Sequence, residues 1–200
     1  MNINSIKRIC KDSMQIIVRN NGFDQWLGTE SAMYLLPRIS TQYKAEDIFN
    51  MWDLPGKDRD DYLINDGAFP DGTYLYPVSN RDSSAELITR AGLCLGGAVY
   101  FPVKTSRGVC GIAEKWLKPI GKLECEWYER SSQSMGLYLV AAQGFMIQAI
   151  IRPVDFGTGV KGILEDLARG VGSFSAGFMQ SPDKNPQISI EGAEGEEVNK

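Results

Sequence analysis

The groups available for chemistry in this 200-residue chain are carboxylates, thiols, hydroxyls and cations, because histidine is absent. That absence removes Ser-His-Asp and Cys-His nucleophilic sites, histidine-ligated zinc or iron, HNH-type nucleases and any histidine pH switch. The densest acidic stretch runs from Asp53 to Asp71. It holds Asp53, Asp58, Asp60, Asp61, Asp66 and Asp71 against Lys57 and Arg59, a net of −4. Neighbouring carboxylates can hold Mg²⁺ for phosphoryl chemistry. Such a centre draws its ligands from several ordered elements, whereas these crowd one loop. The expectation is a solvated loop, with Asp58, Asp60 and Asp61 as candidate contacts to a basic partner groove. No metal and no cofactor is expected. An Mg²⁺-dependent enzyme built on Asp58, Asp60 and Asp61 is an alternative, and loss of activity with a chelator would identify it.

The opposite bias lies between 104 and 122. Lys104, Arg107, Lys115, Lys118 and Lys122 face Glu114 alone, a net of +4, and Trp116 sits among them. Cations beside an aromatic ring suit a nucleic-acid backbone, so these six residues are the candidate contact with DNA or another anion. Pro119 disfavours helix at Lys118, so the lysines do not form one long helical stripe. The competing expectation is a solvated loop edge with Trp116 in the core.

Gly157-Thr158-Gly159-Val160-Lys161-Gly162 fits the G-x-G-x-x-G pattern of dinucleotide-binding turns. The strands before it read as antiparallel, and no strand follows to complete a βαβ unit. A glycine-rich hinge leading into a docking helix is the better reading. Cys10, Cys94, Cys110 and Cys125 are scattered without a C-x-x-C pair. They read as buried free thiols in a reducing compartment.

Positioning these groups requires elements, and hydrophobic periodicity supplies them. Residues 3–12 read as a helix with Ile3, Ile6, Ile9 and Cys10 on one face. Strands follow at 14–19, 23–27 and 32–36, the first two joined by Asn20-Asn21-Gly22. A second helix spans 44–54, with Ser40 or Thr41 as cap and Pro55 as its end. Residues 56–97 read as a loop-rich connection, with a helical turn or edge strand near 85–91. Residues 98–156 read as an antiparallel meander of about five strands. Residues 157–180 form a glycine-rich segment whose helix carries Val160, Ile163, Leu164, Leu167 and Val171. Ile163, Leu164 and Leu167 are candidate partner contacts. Residues 181–200 hold five acids and two bases, most of the chain's net charge of −4, and read as a disordered acidic tail. The fold class expected is α+β: an N-terminal helix-hairpin-helix unit (1–55) packed on an antiparallel sheet.

The start of the chain lacks a secretory apolar core. Its longest apolar stretch, residues 137–151, contains Gln143 and Gln148 and is too short to span a bilayer. A cytoplasmic protein with no membrane contact is expected.

The stretches GFDQWLGTESAMYLLP (22–37), EDIFNMWDLP (46–55), VKTSRGVCGIAEKWLKPI (103–120), EWYER (126–130) and GFMIQAIIRP (144–153) resemble, in that order, short uncharacterised phage and prophage proteins of gut Firmicutes. The resemblance covers roughly residues 1–153. It implies a small phage protein without catalytic residues that binds a host protein or protein–nucleic acid machine, as anti-CRISPR inhibitors of Cas9-type nucleases do. The function expected on that basis is non-enzymatic inhibition of a host defence complex, an RNA-guided nuclease, through surface competition. A clamp-like accessory of DNA replication or recombination is a further alternative.

Overall fold

The computed structural model describes residues 1–22, 24–37, 42–53 and 56–170, with backbone alone at 56–58. Helix α1 (Ile3–Ser13) starts where Asn2 Oδ1 accepts the amides of Asn4 (3.1 Å) and Ser5 (3.2 Å). It stops where Met14 turns left-handed at φ 50°. Both ends therefore satisfy backbone groups the helix cannot pair internally. Strands β1 (Gln15–Asn21), β2 (Asp24–Gly28) and β3 (Ala32–Leu35) come next, then α2 (Ala45–Met51). Asp66 Oδ1 accepts the Ala45 amide at 2.7 Å and so caps α2 from a distant strand. A 3-10 turn, Gly56–Asp61, leads into β4 (Leu63–Ala68). Strands β5 (Ser83–Leu87), β6 (Leu93–Leu95), β7 (Ala98–Thr105) and β8 (Gly108–Ala113) precede the short helix α3 (Glu114–Leu117). Strands β9 (Glu126–Ser132), β10 (Gly136–Gln143) and β11 (Met146–Ile151) precede α4 (Thr158–Arg169).

The strands form one mixed sheet in the order β4-β1-β2-β3-β11-β10-β9-β5-β7-β6, with β8 also paired to β7. Strand β5 is the bend in this sheet. Ser83 to Ala85 pair with β9, and Glu86 and Leu87 pair with β7. The far end then returns to the middle. Gly111 of β8 exchanges two backbone hydrogen bonds with Val154, just beyond β11, at 2.8 and 3.5 Å. Strands β11, β10, β9, β5, β7 and β8 thus close on themselves, and β3, β2, β1 and β4 extend from β11 as a wing.

Period-two alternation divides the apolar residues between the two faces of this sheet. Ile16, Val18, Leu27, Tyr34, Leu139, Ala141, Ala149 and Ile151 pack with Ile112 and with the apolar faces of α1, α2 and α3. Ile17, Trp26, Met33, Tyr138, Val140 and Ile150 point the other way. Phe69, Leu75 and Val78 of the connection between β4 and β5 cover that second face. An ion pair fastens this connection. Arg130 donates through Nε (2.7 Å) and an Nη (2.9 Å) to the two carboxylate oxygens of Asp82. Its other Nη reaches the carbonyls of Tyr74 (2.9 Å) and Tyr76 (3.1 Å), and the Tyr76 ring lies under the guanidinium. Both side chains are nearly fully buried, at 4% and 6% exposure.

These observations correct the expected fold. Among the described residues the structure is mostly a large mixed β-sheet with four short helices, not a helix-hairpin-helix unit laid on a separate antiparallel sheet. Strand β1 has β2 on one edge and β4, in parallel, on the other, so the N-terminal strands are interior members of the sheet. The reason lies in residues that read as connection. Leu63–Ala68 is a strand, and its half-exposed alternation carries little apolar signal. The expected meander is also interrupted, because β5 stands between β9 and β7 while α3 follows β8. Cys10 is the only fully buried thiol of the four; Cys94 is exposed on β6, and Cys110 and Cys125 are half-buried. The proposed Ser40 and Thr41 caps, Val171 and the acidic tail lie outside the described residues.

Candidate functional site

The basic segment 104–122 is divided between the two ends of β8. Lys104 lies near the end of β7 and Arg107 in the turn to β8, whereas Lys115 and Lys118 follow β8 at its other end. Six residues of strand separate these ends by roughly 20 Å. Lys104 Nζ pairs with Glu86 at 3.1 Å across β7 and β5. Arg107 donates to Ser131 Oγ at 2.9 Å. Next to it, the Ser106 amide and hydroxyl both donate to the Glu129 carboxylate, which holds the turn against β9.

At the other end, α3 lies beside α1. Arg8, Lys115 and Lys118 line a shared groove of about 360 Å³ with Asn4, Ser5 and Asp12. Arg8 approaches Asp12 at 4.0 Å and Lys118 approaches Glu114 at 3.6 Å. Both pairs are exposed, so they hold these cations weakly. Lys115 and Lys122 are exposed, and their side chains pair with no carboxylate among the described residues. Trp116 does not belong to this surface. It is buried at 8% exposure, and its carbonyl accepts the Tyr34 hydroxyl at 2.8 Å. A ring so enclosed serves packing and presents no face to a base.

Asp60 and Asp61 are exposed on the 3-10 turn, and the side chain of Asp58 lies outside the described residues. Beside them, Arg59 makes two hydrogen bonds to Glu46, at 2.8 and 3.0 Å. Among the described residues, no group of three histidine, cysteine or acidic side chains could hold a metal ion. The candidate contacts on α4 also separate. Leu164 and Leu167 are buried, whereas Ile163 is 38% exposed. Leu164 and Phe156 lie over Gly111, where an added Cβ would stand only 2.5 Å from the Phe156 ring. Gly111 is therefore the seat of α4 on the sheet, and Leu164 and Leu167 are occupied within the chain. Glycines 157, 159 and 162 face open space: a Cβ on any of them meets no atom within 4 Å. The steric reason for glycine in a dinucleotide fingerprint, close approach of neighbouring backbone, is not present here.

A second basic cleft, of about 320 Å³, lies between the β7–β8 turn, the start of β10 and the segment from β11 into α4. Arg107, Arg152 and Lys161 line it, with Asp155 as its single carboxylate. Arg152 is exposed and Lys161 half-buried, and neither side chain has a hydrogen-bonding or ionic partner among the described residues. Arg152 and Lys161 were missed from the sequence. Positions 107, 152 and 161 share no local pattern, and only the closure through Gly111 and Val154 brings them together. The Cys110 thiol in this cleft is pushed up to about 11, chiefly by burial and then by the Glu129 carboxylate. Cys10 is pushed up to about 12 by burial. Both stay protonated near neutral pH and are poor nucleophiles.

Among the described residues, no helix is long and apolar enough to cross a membrane. Comparison of the chain with protein-family models, curated proteins and solved structures gave no significant match.

Proposed function

We propose that this chain is a non-enzymatic binding protein that occupies the surface of a protein–nucleic acid complex. The observation that carries this reading is the groove between α1 and α3, where Arg8, Lys115 and Lys118 converge, with the exposed Lys122 four residues further along the chain from Lys118. Cations on short, rigid elements track phosphates at little conformational cost, and such contacts are sequence-independent. Asp60 and Asp61 supply a separate acidic surface for a basic protein groove. The resemblance to phage proteins directs the choice of target to a host defence complex, an RNA-guided nuclease, inhibited by competition for its surface.

The test is binding to a guide-loaded nuclease of the host, to bare duplex and to single-stranded DNA, over a salt series. Reversing the charge of Lys115, Lys118 and Lys122 together is expected to lower affinity and flatten the log–log salt dependence by about two to three units. Reversing Asp60 and Asp61 is expected to weaken binding to the nuclease protein with its nucleic acid removed. A wild-type protein that binds none of these partners at low salt overturns the proposal.

A further inference from the structure

We propose that the cleft between the β7–β8 turn and the start of α4 binds a nucleoside phosphate. Arg107, Arg152 and Lys161 would take the phosphate, and the apolar wall of Val109, Met135 and Leu137 would take the base. This site is independent of the α1–α3 groove, which lies beyond the other end of β8.

Charge is the first argument. Three cations line this cleft against one lining carboxylate, Asp155, with the Glu129 carboxylate close enough to act on Cys110 but held by Ser106 of the turn. Lys161 is half-buried, and its side chain has no hydrogen-bonding or ionic partner among the described residues, so its ammonium is available to an anion. Its ammonium is also seated. Nζ lies 3.6 Å from where a Cβ on Gly108 would stand, over a backbone at φ +111°. That is an ordinary contact distance, so the ammonium rests against the turn between β7 and β8. Arg107 is oriented by its bond to Ser131, which uses one terminal nitrogen and leaves the rest of its fork available. Guanidinium forks match phosphate oxygens in pairs, and an ammonium adds a point charge.

Shape and lining argue for the rest of the ligand. At about 320 Å³ the cleft stands at the lower end of the roughly 300–1,000 Å³ typical of small-molecule sites. That is room for a monomer and not for a folded polymer. A bare inorganic ion would leave the wall of Val109, Met135 and Leu137 uncovered, whereas a planar base buries against it. The phosphate monoester can come from a free nucleotide or from the 5′ end of a strand. The chemistry recognised is the same.

Isothermal titration of the full chain with adenosine 5′-monophosphate, uridine 5′-monophosphate, adenosine, and an oligothymidylate with and without a 5′-phosphate tests this. Phosphate-bearing probes are expected to bind at least about tenfold more tightly than their phosphate-free partners. Binding of both kinds of phosphate-bearing probe, or of free nucleotides alone, supports the proposal, and binding of the phosphorylated strand alone supports it with a strand end as the source. Arg152→Gln and Lys161→Gln should each weaken binding by about tenfold, while Arg81→Gln, an exposed charge elsewhere, should not. Asp155→Asn should tighten binding several-fold, a gain that misfolding cannot imitate. Adenosine binding as well as its monophosphate, unchanged affinity in Arg152→Gln and Lys161→Gln, no tightening in Asp155→Asn, or no binding of any phosphate-bearing probe each overturns the proposal. All of these outcomes are independent of the salt series on Lys115, Lys118 and Lys122.

Discussion

Single residues in this protein do their work through what they are denied. Trp116 is denied solvent, so an aromatic ring set among lysines becomes core. Composition around 104–122 was legible in the sequence, but the direction of each side chain was not, because a short helix turns its neighbours to opposite sides. Arg130 is denied water and compensated in full. Its guanidinium meets both Asp82 oxygens and two carbonyls. Arg130→Met should leave the buried Asp82 charge without its cation and with only the Ser79 amide and hydroxyl as donors, at a cost of about 3–5 kcal/mol read from urea denaturation. The hydrogen bonds from Arg130 hold the Asp82 carboxyl below its ordinary value, which is about 3.9. The stabilisation is therefore complete above that ordinary value and is lost as pH falls below it, through the lowered folded-state value. Urea midpoints taken from roughly pH 2 to pH 6 should fall toward acid more steeply in wild type than in Arg130→Met. Equal slopes would show that this pair does not govern acid sensitivity.

At the scale of elements, regular periodicity was readable and pairing was not. Ile6, Ile9 and Cys10 announce α1, and the alternation of β10 and β11 is plain in their sequences. Residues 85–91 read as a helical turn or an edge strand, but nothing in Ser83–Leu87 announces a strand inside the sheet that pairs half with β9 and half with β7, because two of its five residues are serine and one is glutamate. The helix α4 shows the same limit. Its apolar spacing was legible, but whether the stripe waits for a partner or meets the sheet depends on Gly111, some fifty positions earlier. Since Leu164 is fully buried there, Leu164→Ala should cost about 2–5 kcal/mol. Ile163→Ala, on the exposed side, should stay within about 0.5 kcal/mol. Thermal and chemical denaturation of the two variants checks this. Equal, small losses would mean that α4 contributes little to the folded chain.

Across the whole molecule, one apolar cluster unites residues from Ile6 to Ile151. The strands of the first thirty-five residues and those of the last fifty described ones share a sheet through β3 and β11. Unfolding should therefore be a single transition, with tryptophan fluorescence and far-ultraviolet dichroism giving the same midpoint. Two separated midpoints would mean that the wing of β1 to β4 unfolds on its own. The pairing of Tyr34 with Ala149 also imposes a wait. At a synthesis rate of about 5–20 residues per second, the strand that completes the edge of β3 is made roughly 6–23 s after β3 itself. Through that interval Met33 and Tyr34 stand at an unpaired, strongly apolar strand edge, open to any other chain nearby. The protein's exposure to aggregation is thus concentrated in its own translation, and a slower ribosome lengthens it in proportion.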